Sequence, residues 1–243
     1  MTTPAPKGMI LAAGLGMRLR PLTEHTPKAL LTVGGRPLID YSVEVLVRSG
    51  ITDIVVNLHH LGDQIRRHLG GGERLGARIR YSEERPLLGS GGGIAHARPL
   101  LEGGTFVTLN ADTIIDVDLA EVIDLHRRRG ATATLVLRKD PRMEDYGLIH
   151  VDGAGRVRRF LDHLQAGAAG PLEPYMYTGV QVLEPRVFSY MENGRAFSMT
   201  ADTYPAMLHA GEPIYGHPFG GVWLTVGTPE ELERAQRWFD SRD

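Results

Sequence analysis

Met9-Ile10-Leu11-Ala12-Ala13 has no polar side chain on either of its alternating faces, and it runs straight into Gly14-Leu15-Gly16. A strand that is apolar on both faces must be covered on both, which places it inside a sheet sandwiched between helices. The rest of the first half agrees. Short apolar runs alternate with longer amphipathic stretches, the pattern of successive βαβ units. Residues 53–57, 105–109 and 132–137 read as further buried strands, and 78–82 as a weaker one. Helices are expected at 37–49 (Leu38, Tyr41, Val45 and Leu46 inward, Gly50 as the stop), 61–69, 94–101 and 119–129.

From residue 138 the pattern turns β-rich. Residues 146–151 and 156–160 flank Asp152-Gly153, a hairpin signal, and 175–183 reads as a long strand. Helices at 186–191, 203–210 and 229–239 and strands at 214–217 and 222–226 complete the chain, with 163–174 as a mobile loop. No repeat or linker divides the 243 residues. The expectation is one Rossmann-like three-layer α/β/α sandwich over residues 1–243, with a mostly parallel mixed central sheet. The β-rich insertion would cover the sheet's carboxyl edge. In such sheets ligands sit outside the carboxyl ends of the strands. The polar strand ends Ala13-Gly14 and Asn110-Ala111-Asp112 locate the site there.

Composition narrows the function. The absence of cysteine excludes disulfides, thiolate zinc sites and cysteine nucleophiles, and suits a reducing, cytoplasmic setting. A net charge of -2 gives no reason to expect nucleic acid. No run of about 18 apolar residues suggests a membrane span, and MTTPAPKG has no signal-peptide core. His59-His60 would point to opposite faces of a strand and cannot share one metal. Arg127-Arg128-Arg129 suits the negative end of a helix. Tyr175 and Tyr177 read as packing.

The glycines at 14 and 16 follow a buried strand, where backbone N–H groups can close on phosphate oxygens. Arg18 and Lys28 supply the positive charge a triphosphate needs. The loop lacks the third glycine of a dinucleotide fingerprint and the Gly-Lys-Ser/Thr of a Walker A loop. Asp112, ending a buried strand, suits a hard cation such as Mg²⁺, which takes one or two carboxylates plus phosphate oxygens.

The stretch Gly14-Leu15-Gly16-Met17-Arg18-Leu19-Arg20-Pro21-Leu22-Thr23, with Thr26-Pro27-Lys28, resembles the signature of the sugar-1-phosphate nucleotidyltransferase family. The resemblance continues through Leu88-Gly89-Ser90-Gly91-Gly92-Gly93, Asn110-Ala111-Asp112, Tyr146-Gly147-Leu148-Ile149, Thr178-Gly179 and the segment 223–229. It implies a nucleoside triphosphate and a sugar 1-phosphate as partners, Mg²⁺ as cofactor, and a monomer or small homo-oligomer. Residues 8–137 would mainly hold the nucleotide and 138–243 mainly the sugar. Arg18, Lys28 and Asp112 would be catalytic. Leu11, Ala12, Ala13, Gly14, Gly16, Met17, Glu84, Leu88, Gly91, Gly92 and Asn110 would bind nucleotide. Gly147, Asp162, Thr178 and Gly179 would face the sugar.

Two positions depart from the family pattern. Thr225 stands where a second metal-binding aspartate is usual, with Glu184, Glu230 or Glu231 as possible substitutes. Phe160-Leu161-Asp162-His163-Leu164 replaces a segment that often carries a phosphate-binding lysine. The length resembles the compact N-acetylmuramate-1-phosphate uridylyltransferases and mannose-1-phosphate guanylyltransferases. A phosphocholine-type cytidylyltransferase shares the same loop. Thr225 also motivates the alternative of a regulatory protein that binds nucleotide sugar without turnover.

Overall fold

The computed structural model describes residues 4–242. The chain opens with β1 (Lys7–Leu11), the short pair β2 (Thr32–Val33) and β3 (Arg36–Pro37), α1 (Leu38–Arg48), β4 (Asp53–Leu58) and α2 (Gly62–Leu69). β5 (Arg78–Glu83), α3 (Gly89–His96), α4 (Arg98–Leu101), β6 (Phe106–Asn110), β7 (Thr113–Ile115), α5 (Leu119–Arg129) and β8 (Ala133–Arg138) follow. Then come α6 (Met143–Tyr146), β9 (Leu148–Val151), β10 (Val157–Phe160), β11 (His163–Leu164) and the long β12 (Glu173–Leu183). α7 (Tyr204–His209), β13 (Ile214–Pro218), β14 (Trp223–Thr225) and α8 (Pro229–Asp240) complete it.

Ten strands form one mixed sheet, in the order β11-β10-β9-β12-β6-β1-β4-β5, with β8 and β13 branching from β12. β6, β1, β4 and β5 run parallel. β1 sits in the middle because it is apolar on both faces. Met9 packs with Val55 and Phe106 against α3, α4 and α7, while Ile10 packs with Ile54, Val56 and Leu109 against α1, α2 and α5. This is the three-layer sandwich the alternation predicts. A third cluster joins α8 to Leu19, Leu38, Ile114 and Val226, which seats α8 beside the glycine loop.

The β-rich half extends the sheet sideways instead of lying over its carboxyl edge. β12 does this by changing partners along its length. Glu173–Met176 pairs with β9, and Val180–Leu183 pairs with β6 on the same side. On the other side its pairing with β8 shifts register between Tyr177 and Gln181. Gly179, in that gap, has φ +90, a conformation glycine adopts without Cβ strain. A local irregularity thus places Thr178-Gly179 where the two halves of the molecule meet.

Other boundaries also differ from the sequence reading. The glycine run is not a prelude to the helix at 94–101. Gly89–His96 is itself helical, and glycine is needed at 92 because a Cβ there would come within 2.6 Å of the Arg195 carbonyl oxygen. Close packing on residues 195–199 outweighs the poor helix propensity of glycine. Residues 185–190 form a 3-10 helix, and the loop expected at 163–174 contains β11 and the start of β12. The strand expected at 222–226 leaves the main sheet and pairs with β7 as a separate two-stranded ribbon.

Candidate active site

β1 and β6 end side by side, with Leu11 opposite Asn110 and the Ala111 N–H donating to the Leu11 carbonyl at 3.1 Å. From β1 the chain crosses to β4 on one side, while β6 lies on the other. The gap between the ends of β1 and β6 is therefore the topological switch point where an open α/β sheet offers its ligand crevice. Two cavities open there. One, of ≈190 Å³, is lined by Gly14, Gly16, Arg18, Lys28, Asp112 and Gly227 among others. The other, of ≈270 Å³, is lined by Ala13, Asn57, Leu87, Gly89, Ser90 and Asn110 among others. Leu11, Gly14 and Asp112 belong to both.

The first cavity is shaped by the loop after β1. Gly16 has φ +63, and Thr23 Oγ1 donates to its carbonyl at 2.7 Å. Residues 17–19 then turn once as a 3-10 helix anchored by the fully buried Leu19, which leaves Met17 and Arg18 on the outside. A second 3-10 turn, Lys28–Leu30, is pinned by buried Ala29 and aims Lys28 inward. Lys28 Nζ forms an ion pair and hydrogen bond with Asp112 Oδ2, with side chains 16% and 26% exposed. The opening thus has two cations and a carboxylate beside free backbone, the makings of an anion site with room for one hard cation.

Asp112 is held from below by the β7–β14 ribbon. The Val226 N–H donates to the Asp112 carbonyl at 3.0 Å, and Thr225 pairs with Thr113. Thr225 is therefore on the strand whose next residue, Val226, bonds the Asp112 backbone. Thr225 lines neither cavity, and the hydroxyl that donates to the Asp112 carboxylate is that of Thr113, at 3.4 Å; the Asp112 carboxylate itself fits Mg²⁺ when phosphate oxygens complete the shell. Among the described residues no group of three or more His, Cys, Asp or Glu is arranged to hold a metal alone. Glu184 is not a substitute. It follows the end of β12 opposite the start of β6, where its carboxylate takes Thr105 Oγ1 at 2.6 Å and His126 Nε2 at 3.1 Å. That is a whole strand length from Asp112. Glu230 is exposed on α8. Glu231 lies nearer the cavity but is bonded elsewhere, to the Gly227 N–H at 2.7 Å and to Tyr146 Oη at 2.8 Å.

The second cavity requires corrections to the expected contacts. Glu84 does not line it. It is 1% exposed and lies beneath Asn57, accepting from Asn57 Nδ2 at 2.6 Å and from the Leu88 N–H at 2.8 Å. Leu88 is likewise buried, and its neighbour Leu87 lines the cavity. Gly91 and Gly92 pack on Phe197, Ser198 and Arg195, while Gly89 and Ser90 reach the opening. Asn57 was missed although it obeys the rule that singled out Asn110: it is a polar residue near the carboxyl end of a strand next to β1. Its Oδ1 accepts the Ala12 N–H at 2.7 Å, so it fixes the start of the glycine loop. Asn57→Ala leaves that N–H and the Glu84 carboxylate without their partner, a cost of about 1–3 kcal/mol. Thermal melting is expected to fall by about 2–4 °C per kcal/mol lost, and an unchanged melt would contradict this assignment.

On the sugar-side segments, Gly179 abuts the Asn110 side chain; a Cβ there would come 2.6 Å from Nδ2. Thr178 is 2% exposed, its hydroxyl donating to the Val136 carbonyl at 2.8 Å and its carbonyl accepting from Trp223 Nε1 at 3.0 Å. It braces the junction and does not open onto the cavities as a hydroxyl ligand would. Gly147 has φ +83 and is covered by Leu161, itself at φ +52 in the tight turn between β10 and β11. Asp162 is exposed at the same turn, and the His163 ring packs edge-on against His209. Tyr146 meets Trp223 edge-to-face at 5.4 Å between centroids. Burial, and then the hydrogen bond to Glu231, push the Tyr146 phenol up from its ordinary pKa, so it is a neutral donor.

Sheet order, switch point and a glycine loop beside two cations define an open α/β protein with an anion-binding crevice. Residues 7–241 match the family described as Nucleotidyl transferase, and the chain belongs to that family. It is 32% identical over 251 residues to a UTP–glucose-1-phosphate uridylyltransferase of Synechocystis, covering 98% of this chain and 64% of that protein. It is also 32% identical to a mannose-1-phosphate guanylyltransferase of Mycobacterium tuberculosis, covering 96% of this chain and 64% of that protein. The chain thus spans 64% of the length of these relatives. A Bacillus anthracis structure described as a glucose-1-phosphate thymidylyltransferase superposes with a TM-score of 0.82 at 26% identity, covering 97% of this chain and 95% of that one. Among the described residues no helix is long and apolar enough to cross a membrane.

Proposed function

We propose that this chain transfers a nucleotidyl group from a nucleoside triphosphate to a sugar 1-phosphate, forming a nucleoside-diphosphate sugar and pyrophosphate. A 1-phosphate oxygen forms a bond to the α-phosphorus as the bond from that phosphorus to the bridging oxygen of the β-phosphate breaks, and pyrophosphate carries away the electron pair. No covalent enzyme intermediate is needed, so positioning and charge neutralisation carry the catalysis. The observation that most supports this reading is the Lys28–Asp112 pair, which faces the cavities that meet at the switch point.

Arg18 takes the β- and γ-phosphates and the leaving group. Lys28 exchanges Asp112 for the α-phosphate and the incoming phosphate. Asn57, Leu87, Gly89 and Ser90 border the base and ribose, while Gly147, Asp162 and Gly179 lie toward the sugar. Asp112 would hold Mg²⁺, which supplies charge neutralisation at the phosphates. The chain works as one domain, residues 8–137 serving mainly the nucleotide and 138–243 mainly the sugar.

Pyrophosphate release across the four common nucleoside triphosphates and a panel of sugar 1-phosphates, with and without Mg²⁺, tests the reading. Turnover that requires both substrates is expected. Activity that appears only in Thr225→Asp would instead identify a binding protein on an enzyme's scaffold.

A further inference from the structure

Three neighbouring strands reach the crevice with side chains on one face. Val180 of β12 opposes Leu109 of β6, so Gly179 stands opposite Asn110, and Leu11 of β1 pairs with Asn110 on its other side. Alternation along β12 puts Gln181, Gly179, Tyr177 and Tyr175 on the face that carries Met9, Leu11 and Thr108. Deeper in the sheet that face is closed: Met9, Thr108 and Gln181 are fully buried. At its rim Leu11, Asn110 and Tyr177 are all partly exposed. The crevice therefore continues beyond the second cavity, across β6 and onto β12.

Gly179 has no side chain, and Asn110 lies against it; a Cβ there would be 2.6 Å from Asn110 Nδ2. Nothing of β12 thus stands between Asn110 and Tyr177, its diagonal neighbour, at a separation of about 7–8 Å that an aromatic side chain spans. On the far side Leu148 opposes Met176, so Gly147 stands opposite Tyr177. The packing role expected of both tyrosines suits Tyr175, whose hydroxyl donates to Glu173 at 2.9 Å. Tyr204, on the same side of the sheet, gives its hydroxyl to Gln181. The Tyr177 hydroxyl has no hydrogen-bond partner among the described residues, although burial pushes its phenol well above the ordinary pKa and no charged neighbour contributes. A phenol desolvated this far leaves a hydrogen bond to be made by whatever enters the crevice.

Resting on the nucleotidyl-transfer reading above, we propose that Tyr177 is a specificity-determining residue for the sugar 1-phosphate, its phenol sharing a hydrogen bond with an uncharged hydroxyl of the sugar ring. The base-side residues Asn57, Leu87 and Ser90 line the cavity on the β1 side of Asn110, and Tyr177 stands on the opposite side, between Gly179 and Gly147. A neutral phenol both donates and accepts, so it suits a hydroxyl. A carboxylate or ammonium at the same place would be desolvated without a counter-charge.

Tyr177→Phe removes the hydroxyl and keeps the ring. The KM for the preferred sugar 1-phosphate is expected to rise about three- to tenfold, with the KM for the triphosphate and the melting temperature unchanged. One deoxy analogue of that sugar phosphate, lacking the hydroxyl that Tyr177 meets, should serve the native and Tyr177→Phe proteins equally well, because the partner is already gone. A purely structural role predicts lower melting, or a loss that is the same for both substrates and for every deoxy analogue; either result, or an unchanged KM, overturns the proposal. If the native chain turns over no substrate pair, the functional reading falls, and calorimetry with glucose 1-phosphate and mannose 1-phosphate decides the role of Tyr177 by itself. Weaker binding to Tyr177→Phe than to the native chain then upholds it, and equal binding, or none to the native chain, refutes it.

Discussion

Lys28→Ala is expected to lower turnover by about 10²–10³-fold, the loss of about 3–4 kcal/mol typical of removing one donor from a developing charge. The fold should survive. Ala29 and the 3-10 turn, not the ammonium, anchor this segment, and Asp112 left alone keeps access to water at 26% exposure. Far-UV circular dichroism beside kcat separates the two effects. Near-normal turnover in a folded Lys28→Ala protein would remove Lys28 from the chemistry. Lys28→Arg should not restore the rate fully, since a planar fork replaces a compact point charge that must move between two phosphates.

Asp112→Asn carries the other large effect, with a different signature. It removes the one carboxylate shared by both cavities, so turnover should fall by at least about 10²-fold and become nearly indifferent to Mg²⁺. It also frees Lys28 from its ion-pair partner, so triphosphate binding measured without metal should be no weaker than in the native chain and is expected to be tighter. The double variant should cost less than the product of the two single losses, because the residues act as a unit. Titrating Mg²⁺ against rate for each variant checks this. An unchanged Mg²⁺ dependence in Asp112→Asn would move the metal site elsewhere.

The parts of the molecule legible in the sequence are those where local pattern and burial agree. β1 reads correctly because a strand apolar on both faces has few other places to go, and the position of Asp112 at the crevice follows because it comes just after a buried strand. Arg127-Arg128-Arg129 likewise end α5 at Gly130. What was hidden depends on distant chain. The partner change of β12 needs β9 and β6 together, and only the φ of Gly179 records it locally. The helical glycines of α3 follow from the close approach of residues 195–199, which no propensity reveals. The three-residue β7 carries too little pattern to be seen alone, so although 222–226 reads as a strand, its pairing with β7, which sets Thr225 opposite Thr113, does not.

Within the candidate site, the sequence places glycine and charge together at 14–28, and Gly14, Gly16, Arg18 and Lys28 do line one cavity. The floor of the second cavity was not readable. Glu84, expected from the family resemblance to bind nucleotide, is the buried support, while Asn57 reaches the cavity. A buried carboxylate needs its partners, and those partners can be what a ligand meets.

The most direct test of the account is phosphorus NMR of the native chain incubated with Mg²⁺, a nucleoside triphosphate and a sugar 1-phosphate that together turn over. Attack at the α-phosphorus predicts inorganic pyrophosphate and a pair of coupled resonances from a new diphosphate diester, each growing as the sugar phosphate signal declines. Orthophosphate and nucleoside diphosphate appearing instead would mean attack at the γ-phosphorus, and would contradict the placement of Arg18 on the leaving group and Lys28 at the reacting one.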